Sequence, residues 1–359
     1  MTVSEFVFEL HVCRWAELSW EPACRDDVVL VARQLGTKKR RWDTIIFECD
    51  SAGFSQRAKF GQDHLDSDLL HVIRHAPPDW RWYRDALPKP SYPWRYVREA
   101  VHSAADRNII ETRKQHNRIE LRRRFVYPDW VNRVIAIENK PDMDASAASN
   151  LASQLEFDIA MGLADEVWLA TEFTDTRIPP SLLEAMPVEA GIIAIEPATL
   201  QGEILWHPRT LTPEEAGTRI LERPTGAVHD HSAARFEYIT PAEKSSIRRQ
   251  IAERAWERGW RSAIDSMRPD CRHFTLALET LTHEPRCRAK EKSPSTAECS
   301  GRCEFFEPEP PGWRTRGWPI EGGPGKAMRW IWEEQLRRCR SGHFHGKGCE
   351  SSKRRSFVE

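Results

Sequence analysis

Val134-Ile135-Ala136-Ile137-Glu138-Asn139-Lys140 puts four apolar residues directly before an acid and a lysine two positions apart. Such a run, followed by Pro141, reads as a buried strand, and period-two geometry turns Glu138 and Lys140 to one face and Asn139 to the other. Working outward, Ala145 to Leu163 reads as a helix, with Leu151, Leu155, Ile159 and Leu163 at every fourth position. Glu166 to Thr171 is the next strand, and Gly191 to Ile195 and Glu203 to His207 close the series around Pro197. Upstream, Val28 to Leu35 and Trp42 to Glu48 form a hairpin around Lys38-Lys39-Arg40-Arg41. Ser4 to Trp20 precedes it as a helix whose stripe is Phe6, Leu10 and Cys13, widened by Val7 and Leu18. This order predicts an α/β fold with a sheet of mixed direction flanked by helices.

The 359 residues allow one large core and one or two smaller modules. Fifteen tryptophans and 40% hydrophobic residues exclude a chain disordered in bulk. Lys plus Arg (53) and Asp plus Glu (54) nearly cancel, so attraction to nucleic acid must come from local patches. Glu5 and Glu9 interrupt the apolar stretch Met1 to Cys13, which has no basic leader, and no apolar run approaches the roughly 18 residues of a membrane span. The expectation is a soluble, cytoplasmic protein without a membrane partner. Nine scattered cysteines argue against a secreted disulfide framework.

Phosphodiester hydrolysis needs charge stabilisation at the attacking and leaving oxygens, commonly from Mg²⁺ held by carboxylates. Asp43 lies in a second short apolar strand; if that strand neighbours Val134 to Glu138, about 5 Å away, the two acids can share an ion. Arg41-Trp42-Asp43-Thr44-Ile45-Ile46 followed by Val134 to Lys140 resembles the two core motifs of the PD-(D/E)XK nuclease superfamily, and Gln154 to Thr171 is similar to its next elements. The chain also resembles an uncharacterised archaeal family of unknown function. The first resemblance implies a restriction-endonuclease-like mixed sheet flanked by helices and a nuclease acting on DNA. By it, Asp43 and Glu138 would ligate Mg²⁺ or Mn²⁺, with the Ile137 carbonyl as a further ligand, and Lys140 would orient the attacking water or offset developing charge. Glu9 would assist from the first helix, and Gln154 would meet metal-bound water or phosphate. Two departures stand: 94 residues separate Asp43 from Glu138, and Asp129, in Tyr127-Pro128-Asp129-Trp130, is a rival first acid. An inactive nucleic-acid-binding scaffold is the alternative function.

The 94 residues read as an insertion punctuated by prolines, in which helix Trp94 to Arg107 and strands Ile109 to Arg113 and Arg118 to Arg124 resemble part of a winged-helix module. Arg113, Lys114, Arg118, Arg122, Arg123 and Arg124 give its hairpin a phosphate-binding character, or else a charged, solvated edge. Beyond a charged helix, Glu243 to Trp260, periodicity fades. Cys271, Cys287, Cys299 and Cys303 are candidate metal ligands, suited equally to zinc or an iron-sulfur cluster, with His273 or His283 able to replace a thiolate. Cys339, His343, His345 and Cys349 are also metal-capable, in what reads as a basic tail. The expected organisation is an α/β core at 1–50 and 126–262, a winged-helix-like insert at 51–125, a Cys-rich metal-binding region at 263–306 and an irregular tail at 307–359.

Overall fold

The computed structural model describes residues 4–90, 92–142, 145–173, 184, 186–222, 235–268, 271–277, 284–300 and 302–307. The tail beyond 307, with its expected helix Lys326 to Arg338 and the second Cys/His group, lies outside the described residues, as does His283. The described chain divides into two compact units; residues 50–130 form one, and the described residues up to 49 and from 131 to 307 belong to the other.

Helix α1 (Glu5–Ser19) is capped by Ser4, whose Oγ accepts from Val7 N at 3.4 Å. It leads into strands β1 (Val28–Gly36) and β2 (Arg41–Cys49), an antiparallel hairpin pairing Arg33 with Thr44 and Leu35 with Trp42.

Residues 50–130 carry more structure than their prolines suggest. Helices α2 (Ser51–Ala58) and α3 (Ser67–His75) start at the side chains of Asp50 and Asp66, which accept from backbone amides of the first turn. Strand β3 (Arg81–Trp82), short helix α4 (Tyr83–Ala86), helix α5 (Trp94–Asp106) and strands β4 (Ile110–Gln115) and β5 (Arg118–Arg123) follow, with the sheet ordered β3-β5-β4. Leu69, Val72, Ile73, Val101, Ile109 and Leu121 belong to a core of this unit's own.

The chain returns in β6 (Val131–Asn139), where every residue from Val134 to Asn139 is buried. That pattern belongs to a strand covered on both faces. Helix α6 (Ala145–Met161) leads to β7 (Glu166–Glu172), and β8 (Gly191–Glu196) and the exposed edge strand β9 (Gln201–Trp206) complete a six-stranded sheet, β1-β2-β6-β7-β8-β9. β2 and β6 are antiparallel, β6-β7 and β7-β8 parallel, and β8-β9 antiparallel. Gly191 lies opposite Trp168, where a Cβ would come within 2.5 Å of the indole ring. A hairpin absent from the sequence reading, β10 (Gly217–Glu222) and β11 (Arg235–Ile239), precedes helix α7 (Pro241–Arg258), which opens on a Thr240/Glu243 capping box. A 3₁₀ turn (Arg261–Ser266) and the small hairpin β12 (Phe274–Ala277) and β13 (Glu284–Cys287) follow, in the same unit as the large sheet.

Alternation along β2 and β6 tells which helix covers which face. The Cys13 sulfur of α1 lies 3.4 Å from Thr44 Oγ1, and Trp20 Nε1, just past α1, donates to Glu48 at 3.0 Å. α1 therefore covers the Thr44/Glu48 face. Asn139 shares that face, its Nδ2 donating to Thr44 Oγ1 at 2.9 Å, so Glu138 turns to the opposite one. Because it packs against β1, β2, β6 and β9, α1 is buried on more sides than the single expected stripe, its Glu9 and His11 included. Leu18, expected in that stripe, is exposed.

Arg261 donates from Nη1 and Nη2 to the two carboxylate oxygens of Glu17, each at 2.5 Å. Burial alone would raise the Glu17 carboxyl, but Arg261 and Arg14 beside it hold it below the usual range. A carboxyl lowered on folding contributes stability that is present above its unfolded value, about 4.3, and lost as pH falls through the folded value. In urea titrations the wild type is expected to lose more stability on acidification from about pH 5 to 3 than Glu17→Gln; parallel losses would contradict this.

Candidate acidic site at the ends of the central strands

The β2-β6 register pairs Thr44 with Ile137, which brings Asp43 opposite Glu138 at the next position. Directly opposed residues of an antiparallel pair share a face, with Cβ atoms about 5 Å apart. Asp43 Oδ2 accepts from the Asn139 amide at 3.0 Å, fixing one carboxylate oxygen at the mouth of the strand pair. Burial, and then the Asp43 carboxylate, push the Glu138 carboxyl up to about 8, with Arg40 pulling the other way.

Arg40, from the turn between β1 and β2, and Asp158, from α6, complete this side. Arg40 Nε donates to both Asp158 oxygens at 3.1 and 3.0 Å, and Nη2 to Oδ2 at 2.8 Å. The same Nη2 lies 2.7 Å from Glu138 Oε1, but that oxygen has no aligned hydrogen-bond donor although it is buried. One guanidinium thus stands between two buried acids, and its directed bonds go to Asp158 and, from Nη1, to the Arg41 carbonyl at 2.9 Å. Burial would lower the Arg40 pKa; Asp158 and Glu138 hold it above its ordinary value.

On the other side of Asp43, Gln34 sits at a positive φ of 51°. Its Nε2 donates to Asp43 Oδ1 and to Glu9 Oε1, both at 2.9 Å. Glu9 also accepts from Arg33 Nε at 3.1 Å and Nη2 at 2.8 Å. Burial raises the Glu9 carboxyl, against the pull of Arg33. Glu9 is therefore joined to Asp43 through a single amide.

The other sequence-derived residues are placed differently. β6 ends at Asn139, so the alternation expected to carry Lys140 to Glu138's side does not extend to it; Lys140 forms an ion pair with Glu5 in the first turn of α1. Gln154 is exposed on α6. Asp129 is exposed before the start of β6, whereas Glu138 is next to its last residue. The sequence alone does not single out Gln34; Asp158, which reads as a surface or capping residue, is buried, and Arg40 belongs to Lys38 to Arg41, which reads as either a contact to a phosphate backbone or only a turn. Asp158 had a signal: it stands three and seven residues after Leu155 and Leu151, on the apolar stripe of α6.

Gln34 and Arg40 also line a cleft of about 480 Å³, whose cations are Lys38, Lys39, Arg40, Arg41, Arg254 and Arg258, with no acid in its wall. Lys39 reaches Glu237, and Arg254 Nη2 donates to Gly36 O at 2.5 Å. Burial, and then Arg258, lower the Arg254 pKa, as expected where like charges crowd. The acidic site thus adjoins a pocket suited to anions.

In the unit of residues 50–130 the basic hairpin is partly neutralised. Arg113 pairs with Glu120 at 2.7 Å and Arg122 with Glu111 at 2.5 Å, and both guanidiniums lie over Trp80. Arg118 lies over Trp82, and Arg124 Nη1 donates to Asn108 O at 3.4 Å. Lys114 and Arg123 are exposed.

Cys271, Cys287, Cys299 and Cys303 line one small cavity, whereas His273 turns toward Glu307, 3.5 Å away. Among the described residues no three His, Cys, Asp or Glu side chains stand at the spacing of a formed metal site, and no helix is long and apolar enough to cross a membrane.

A family model described as a family of unknown function (DUF5787) matches residues 30–308. No curated protein and no solved structure matches the chain.

Proposed function

The chain belongs to the DUF5787 family of unknown function, and from its own residues we propose that it is a metal-dependent nuclease of the PD-(D/E)XK type, hydrolysing phosphodiester bonds in DNA. The observation that carries this reading is Asp43 facing Glu138 across β2 and β6, with a basic cleft that shares Gln34 and Arg40 with the acidic site. The series α1-β1-β2-β6-α6-β7, antiparallel at its first two pairings and parallel at the third, supports the fold that the sequence motifs imply.

Two features support a divalent ion here: Asp43 and Glu138 converge, and Glu138 Oε1 is buried without a directed donor. Asp43 and Glu138 would hold Mg²⁺ or Mn²⁺, which when bound supplies Lewis-acid charge and an acidified water. Gln34 and the Asn139 amide orient Asp43, and Glu9 orients Gln34. Lys38, Arg41 and Arg258 would hold the phosphate backbone beside the acids. Lys140 would turn from Glu5 toward the scissile phosphate. Glu5's side chain is 66% exposed, so that pair is of the surface kind, worth about 0–1 kcal/mol and easily exchanged. In residues 50–130 the order α2-α3-β3-α4-α5-β4-β5, with the sheet arranged β3-β5-β4, supports a winged-helix reading in which Lys114, Arg118, Arg123 and Arg124 meet phosphates.

One observation favours a second reading. Arg40 holds Glu138 and Asp158 together much as a bound cation would, which suits an inactive nuclease-like scaffold that binds nucleic acid without cutting it. Incubation of purified protein with single- and double-stranded DNA and RNA, in Mg²⁺, Mn²⁺ or EDTA, separates the two. Cleavage of DNA that EDTA stops supports the enzyme. Salt-sensitive binding with no cleavage under any of these conditions supports the scaffold.

A further inference from the structure

We infer that Cys271, Cys287, Cys299 and Cys303 bind a single zinc ion as a structural tetrathiolate site, a role independent of the nuclease reading. All four thiols are free and line one cavity. Cys287, Cys271 and Cys303 are near enough to Cys299 to act on its thiol. The cavity is about 20 Å³, room for one water-sized sphere, which suits one ion better than a multi-iron cluster.

The backbone presents the thiols in an ordered way. Cys271-Arg272-His273-Phe274 and Cys303-Glu304-Phe305-Phe306 are two similar turns, closed by Phe274 N donating to Cys271 O at 2.9 Å and Phe306 N to Cys303 O at 3.1 Å. The Arg268 amide points at Cys299 Sγ from 3.5 Å. Phe274, Phe305 and Phe306 wall the cavity on its apolar side, and Arg268 and Lys290 bring positive charge to what would be a doubly negative zinc-thiolate centre. Glu298 also lines it, but its carboxylate accepts from Lys292 and from the Ser295 amide.

Energetics point the same way. Past Trp260, the buried apolar side chains among the described residues are Ala263, Met267, Phe274, Pro285, Pro294 and Cys271 itself. So small a core does not hold a two-strand hairpin and its loops, and a bound metal is the usual substitute. No three sulfurs yet stand at ligand spacing. Cysteine χ1 rotations about the cavity would draw them toward Zn–S distances of about 2.3 Å, each thiol releasing its proton to water.

Metal analysis of the full chain, purified without chelator, is expected to find about one zinc per molecule. Cys287→Ser and Cys299→Ser are expected to reduce it to background, while Cys24→Ser, an exposed cysteine outside the cavity, retains it. Because the serine variants risk misfolding, cobalt exchange into the wild type provides a second measurement. Intense sulfur-to-cobalt charge transfer with tetrahedral d–d bands supports the site. Wild type that takes up neither metal, or that carries iron and sulfide, overturns it, and none of these results depends on DNA cleavage.

Discussion

Glu138→Ala is expected to reduce Mg²⁺-dependent DNA cleavage on the order of a thousandfold, the scale of losing one preorganised electrostatic contributor to a charged transition state. Binding to the same DNA in EDTA is expected to stay within about twofold of wild type, because the cations of the basic cleft are untouched. The variant should fold. Glu138 is buried and its carboxyl pushed up to about 8, so the native state gains little from its charge. Its loss leaves Arg40 with three directed bonds to Asp158. Lys140→Ala separates the roles further: it removes only an exposed pair with Glu5, so a comparable fall in cleavage at unchanged stability would assign the ammonium to the reaction. Undiminished cleavage in Glu138→Ala would remove the acid from the mechanism.

Arg40→Ala is expected to be the most destabilising change at the site, by about 3–5 kcal/mol in urea unfolding, because it leaves the buried Asp158 carboxylate without its cation. Asp158's side chain is 1% exposed and Glu138's 6%, so water does not replace the guanidinium. The same substitution vacates the position from which Arg40 competes with a divalent ion. Millimolar Mg²⁺ is therefore expected to raise the melting temperature of Arg40→Ala more than that of wild type, since a ligand stabilises in proportion to its binding to the folded state. An equal Mg²⁺ shift in both proteins would mean that Arg40 and the ion do not share a site. A cost below about 1 kcal/mol would mean that Asp158 is not charged when buried.

The central strands were legible because burial on both faces leaves an unbroken apolar run, as in Val134 to Ile137, and because a basic turn separates β1 from β2. α2 and α3 were hidden by their length: eight or nine residues give barely two turns of periodicity, and the prolines around them dominate the reading. Their Asp50 and Asp66 caps were the available signal. β10 and β11 are short strands outside the large sheet, without an apolar run of the kind that marks β6.

At the site, Asp43 and Glu138 were legible because each follows or precedes strand-forming residues. Lys140 stands one residue past the end of β6, where strand alternation no longer places its side chain, and it pairs with Glu5. Gln34 and Arg40 act through a positive-φ residue and a turn, where neither helical nor strand periodicity applies. The four cysteines have spacings that fit no common metal motif, and it is the fold of the loops around β12 and β13 that brings them to one cavity.

Mn²⁺ binding, followed by electron paramagnetic resonance on wild type, Asp43→Asn and Glu138→Gln with the cysteine site saturated by zinc, bears most directly on the pairing of the two acids. The expected result is one Mn²⁺ site in wild type that weakens by at least about tenfold in either single variant, as loss of a ligand requires. Equal Mn²⁺ binding by all three proteins, or none by the wild type, would contradict a shared ion between β2 and β6.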